Sequence, residues 1–150
     1  MIWMKKKQKN LKPKVLFNAS VVLAGLRSPE GGSGKLLLFV RKSLIEGRIS
    51  EIIFDEVLGH SKKLGLATNF VGKKCLKLFG TLLTSPNEEL VIKYKKIVID
   101  EGDAHVLASC FEAKVKFLAT LDRKHLLVLK GKIRGLKIVT PGELIELLSK

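Results

Sequence analysis

The stretch Ile97-Val98-Ile99-Asp100-Glu101-Gly102-Asp103-Ala104-His105-Val106-Leu107-Ala108-Ser109-Cys110-Phe111-Glu112-Ala113-Lys114-Val115-Lys116-Phe117-Leu118-Ala119-Thr120-Leu121-Asp122 decides how the chain folds. Ile97 to Ile99 is a short β-like run, and Asp100 is placed to cap a helix running to about Ala113. Phe117 to Thr120 then reads as a strand, and Asp122 opens a turn into a short helix through Leu129. Strand, helix, strand is the repeating unit of a parallel sheet.

Outward from this stretch the alternation continues. Upstream, Val15-Leu16-Phe17 is an apolar run ending at the polar Asn18, the pattern of a buried strand. Val21 to Leu26 looks helical, and Arg27 to Gly34 reads as a loop rich in Gly, Ser and Pro. From Lys35 the residues Leu36, Leu37, Val40 and Leu44 fall at helical spacing until Gly47. Arg48-Ile49 is the next strand candidate, with Ser50 capping a helix to Leu64, and another helix covers Phe70 to Leu83. Ser85-Pro86-Asn87 breaks it, and Leu90-Val91-Ile92 is a further β-like run. Downstream, Leu136 to Val139 is the last strand. Thr140-Pro141-Gly142-Glu143 then opens a helix with an N-cap, a proline at its first position and a capping box. The expected fold is α/β: three layers, α/β/α, around a central, mainly parallel sheet.

Composition bounds the rest. The 150 residues carry 28 Lys and Arg against 14 Asp and Glu, a net charge of +14 that points to a polyanion such as nucleic acid. Six lysines and no acid fall in the first 14 residues, so residues 1–13 are expected to form a basic, solvated arm and residues 14–150 one domain. No apolar run is long enough to span a bilayer, and the basic N-terminus has no apolar segment behind it to make a secretory signal. Cys75 and Cys110 cannot build a disulfide framework, which favours a reduced, cytoplasmic compartment. Gly31 to Lys35 lacks the spacing of a phosphate loop, and His60, His105 and His125 show no zinc-ligand spacing.

Parallel α/β sheets bind ligands beyond the C-terminal ends of their strands. Asn18 follows the first strand, Glu56 lies on the helix after the second, Asp103 sits in the first turn of the helix after Ile99, and Asp122 comes two residues after Thr120. Singly, each acid has a structural explanation: Asp100, Glu101 and Asp103 complement a helix dipole, and Glu56 could pair with Lys62 or Lys63. Together, oxygen-bearing side chains at one sheet edge suit a hard divalent cation able to assist phosphodiester hydrolysis.

These residues resemble the PIN domain family, the small metal-dependent nucleases that include the VapC-type toxins of toxin–antitoxin pairs. Asp103 to Cys110, Phe117 to Leu126 and Ile138 to Leu144 are similar to the family's acid-bearing helix, Thr-x-Asp strand end and closing Thr-Pro element, and Ser50 to Glu56 to its Ser-capped helix with a Glu. The resemblance implies an endoribonuclease dependent on Mg²⁺ or Mn²⁺, with Glu56, Asp103 and Asp122 as metal-site acids and Thr120 as a polar support. It also implies RNA as substrate, a cognate antitoxin and often a homodimer. The departure is Asn18-Ala19-Ser20, where the family has Asp-Thr-Asn or Asp-Ser-Asn. Asn18 stands at the fourth ligand position, with an oxygen but no charge, so a weakened enzyme and an inactive RNA- or protein-binding module are both open.

Overall fold

The computed structural model describes residues 12–150, so the basic arm lies outside the described residues except for Lys12 and Pro13. The elements run β1 (Lys14–Phe17), α1 (Ala19–Arg27), α2 (Gly32–Arg41), β2 (Glu46–Arg48), α3 (Glu51–Ser61), α4 (Thr68–Phe79), α5 (Glu88–Lys95), α6 (Glu101–Ala113), β3 (Phe117–Ala119), β4 (Lys137–Val139) and α7 (Pro141–Leu148). Short 3-10 turns follow α3 and precede β4.

The four strands form one sheet in the order β2-β1-β3-β4, and every pairing is parallel. From the central β1, the chain steps one way to β2 and then back across to β3 and β4. Right-handed crossovers in opposite directions must use opposite faces of the sheet. The helix contacts divide accordingly: α1, α2, α3, α4 and α7 form one connected set, and α5 packs on α6. The expected three-layer α/β/α architecture is therefore present.

Val15, Leu16 and Phe17 on β1 and Leu118 and Ala119 on β3 have no solvent exposure, as strands covered on both faces require. Phe17 meets Phe79 edge-to-face at 5.2 Å between ring centroids. Three capping expectations hold: Ser50 accepts from the Ile53 amide, Asp100 from Gly102, and Thr140 and Glu143 make a complete capping box.

Several local expectations are corrected. Leu90 to Ile92 belongs to α5, not to a strand, because Val91 and Tyr94 share a buried helical face and Asn87 caps the first turn. Ile97 to Ile99 forms no strand; Ile97 and Ile99 lie exposed before α6. The loop after Arg27 ends at Gly31, and α2 starts within the glycines, because Gly34 packs directly on the Pro29 backbone. That helix ends at Arg41, and Leu44 lies exposed beyond it. Strand β2 is Glu46–Arg48, with Ser50 bridging in parallel to Leu83 outside it.

At Gly34 a Cβ would sit 2.2 Å from the Pro29 carbonyl oxygen, whereas at Gly59 on α3 it would meet nothing within 4 Å. We therefore expect Gly34→Ala to lose about 1–3 kcal/mol through backbone displacement. Gly59→Ala should gain about 0.5–1 kcal/mol by restricting the unfolded chain. Denaturant titrations of both variants beside the parent check the pair.

Candidate functional site

The C-terminal ends of β1 and β3 are locked together. The Asn18 amide donates to the Ala119 carbonyl at 2.9 Å, which carries the ladder one residue past each strand and sets Asn18 beside Thr120. Thr120 is fully buried. Its hydroxyl accepts from the Asp122 amide at 3.1 Å and donates to Asn18 Oδ1 at 3.1 Å. Ser20 Oγ does the equivalent work from α1, accepting from the Leu121 amide and donating to Asn18 Oδ1 at 2.9 Å. Asn18 Oδ1 thus receives two hydroxyl protons, and the remaining terminal atom of the carboxamide is a nitrogen without a lone pair. The polar support expected at Thr120 is this bond pair.

Asp122 follows on the turn after β3. Its Oδ1 accepts from the His125 amide at 3.0 Å, and its Oδ2 lies 3.2 Å from His125 Nδ1. The opposite wall is the first turn of α6. Asp100 caps it through one oxygen, and Asp103, one turn on, points back into the fold with 9% exposure. Asp103 Oδ2 is buried and has no hydrogen-bond partner among the described residues. Glu56, half-buried on α3, completes the set; it makes no ion pair with Lys62 or Lys63.

Burial, and then the charges of Asp122 and Asp100, push the Asp103 carboxyl up to about 6; Glu56 adds to this, while His125 opposes it. Burial likewise raises the Glu56 carboxyl, with His60 opposing and Asp100 reinforcing the shift. The charges of Asp122 and, more weakly, Glu56 thus reach Asp103 within one acidic edge. Asn18 joins it through Thr120. Two members escape a sequence reading. Asp100 and His125 offer ligand atoms that lie, with one from Asp103, all within 4.8 Å of one another. The only sequence signal for His125 is its place three residues after Asp122.

A buried carboxylate oxygen with no donor, beside a further carboxylate and an imidazole, fits a divalent cation. A parallel α/β sheet with such an acidic cluster at its C-terminal edge is an arrangement that could hold a cation. The PIN domain family model matches residues 14–124, and the chain belongs to that family. No curated protein matches the chain in sequence. PIN domains in general depend on a divalent metal and commonly bind RNA. No helix among the described residues is long and apolar enough to cross a membrane.

The raised Asp103 carboxyl carries a sign. Asp103 holds its proton more tightly in the folded chain than in the unfolded one, whose ordinary value is 3.8. Its contribution to stability is therefore full below about pH 4 and lost as pH rises through about 6. In chelator, Asp103→Asn should be more stable than the parent by on the order of 2–3 kcal/mol near pH 7. That gain should shrink toward pH 4, as followed by thermal denaturation at both ends of the window.

Proposed function

We propose that this chain is a metal-dependent endoribonuclease of the PIN type. The observation that carries the reading is the buried, unpartnered Asp103 Oδ2 set among the charges of Asp122, Asp100 and Glu56. Glu56, Asp103 and Asp122 are the acids that would hold Mg²⁺ or Mn²⁺, with Asn18 at the fourth position. A bound divalent cation supplies positive charge at a phosphodiester oxygen and makes a water acidic enough to act as nucleophile. Glu56, whose carboxyl retains its proton to higher pH than usual, is suited to exchange a proton with water at the site. Thr120 and Ser20 fix Asn18, and Asp122 holds His125, so the edge is organised before substrate arrives.

The charge excess supports RNA as the substrate class, because lysines attract phosphate without reading sequence. The reading extends to the toxin half of a toxin–antitoxin pair, acting in the cytoplasm. It is supported by the VapC-like order of motifs and by the free thiols Cys75 and Cys110. A groove between α1, α2 and α4, lined by Leu26, Leu37, Phe70 and Leu78 with Arg41 and Lys74 at its rim, offers a surface for an antitoxin or a second copy of the chain.

Asn18 favours a second reading, a PIN-like module that binds RNA or protein without cutting. The missing carboxylate lowers the negative charge available to a cation. Cleavage of a single-stranded RNA in Mg²⁺ or Mn²⁺ separates the two. The nuclease reading expects chelator to stop cleavage, Asp103→Ala to slow it at least about 100-fold and Asn18→Asp to accelerate it. If neither the parent nor Asn18→Asp cuts RNA that it binds, the binding module stands and the nuclease falls.

A further inference from the structure

The donors at the sheet edge are not equally free, and their prior engagements show where an ion can sit. Asn18 Oδ1 accepts from both Ser20 and Thr120. Each of those hydroxyls already accepts a backbone amide, from Leu121 and Asp122, so each has its proton available for Oδ1. That pattern fixes which end of the carboxamide is oxygen, and it uses both lone pairs of that oxygen. What Asn18 has left is an NH₂, which cannot ligate a cation.

Asp122 turns both of its oxygens to His125, one to the backbone amide and one to Nδ1, and each oxygen keeps a further lone pair. A carboxylate on Nδ1 selects the tautomer that carries its proton there, leaving Nε2 with a lone pair. This is the arrangement by which proteins orient a metal-binding imidazole. Asp103 Oδ2 is buried and partnerless among the described residues, and the cap at Asp100 engages only one of its two oxygens. One ligand atom from each of Asp100, Asp103 and His125 lies within 4.8 Å of the others.

We propose that Asp100, Asp103 and His125 form a mixed nitrogen–oxygen cation site, with Asp122 positioning the imidazole, that prefers Mn²⁺, Co²⁺ or Zn²⁺ to Mg²⁺. Imidazole suits these first-row ions, whereas Mg²⁺ holds to oxygen ligands and water. The family match ends at Lys124, so His125 lies just outside the matched span. The proposal rests on the metal-dependent reading above and deepens it, naming the ion class and moving the centre from the β1 end toward α6. Glu56 then contributes negative charge beside the ion.

The test needs no RNA. Calorimetric titrations of the full chain with Mn²⁺ and with Mg²⁺ should show tighter Mn²⁺ binding. His125→Ala should weaken Mn²⁺ at least about 10-fold while leaving Mg²⁺ unchanged, and Asp122→Asn should weaken Mn²⁺ about 10–100-fold. Pulsed electron paramagnetic resonance of the Mn²⁺-loaded parent should show coupling to ¹⁴N that disappears in His125→Ala. His125 is partly exposed, so this variant is expected to fold, and the spectrum of the parent tests nitrogen ligation without any substitution. If both ions bind alike, or the ¹⁴N coupling is absent or survives in His125→Ala, the mixed site is overturned while the metal-dependent reading stands. If neither ion binds, that reading falls and takes this inference with it.

Discussion

Everything at the site depends on the register between β1 and β3. Val15, Leu16 and Phe17 pair with Phe117, Leu118 and Ala119, and all six are buried between helices on both faces. A slip of one residue would carry apolar side chains from one face of the sheet to the other. The same slip would separate Asn18 from Thr120, and with it the hydroxyl that ties Asn18 to the Asp122 amide. Core packing, not attraction among the site residues, holds the edge together.

It has to, because the site residues repel. Asp103 is buried beside Asp100 and Asp122, and the strain appears in the upward displacement of its carboxyl. α6 supplies part of the compensation: Asp100, Glu101 and Asp103 all fall in or beside its first turn, where the helix dipole favours negative charge. Basic residues lie at both ends of the strands: Lys95 pairs with Glu101 at 2.7 Å beside that turn, and Arg123 and Lys124 follow Asp122 directly. Lys14 and Lys116 occupy the opposite, N-terminal edge, with the Lys116 amide donating to the Lys14 carbonyl at 3.0 Å, and Lys137 begins β4 beside them.

How far the sequence could be read follows from what each residue does locally. Asn18, Thr120 and Asp122 were visible because a polar residue ending an apolar strand marks a sheet edge. Asp103 was visible because it lies one helical turn past a cap. Asp100 was legible only as that cap, since capping engages one carboxylate oxygen and sequence says nothing of the other. His125 was hidden: it reaches the centre through its pairing with Asp122, a contact no spacing rule for metal ligands anticipates. Ile92, Ile97 and Ile99 have strand-like chemistry but are exposed, and Val91 and Tyr94 settle α5 as a helix by packing against α6. Gly32 and Gly34 read locally as loop, and the close approach to Pro29 overrides that preference.

A cation held at the partnerless oxygen of Asp103 would couple folding to ion supply. In the unfolded chain Asp100, Asp103 and His125 are separated and bind a cation weakly, whereas the folded chain presents them together. By mass action, an ion at a hundred times its dissociation constant would add about 2.7 kcal/mol to the folded state. That increment is a large fraction of the margin by which a domain of this size stays folded. Were a cation held by these acids, the share of folded molecules would rise and fall with free metal, apart from any effect on activity.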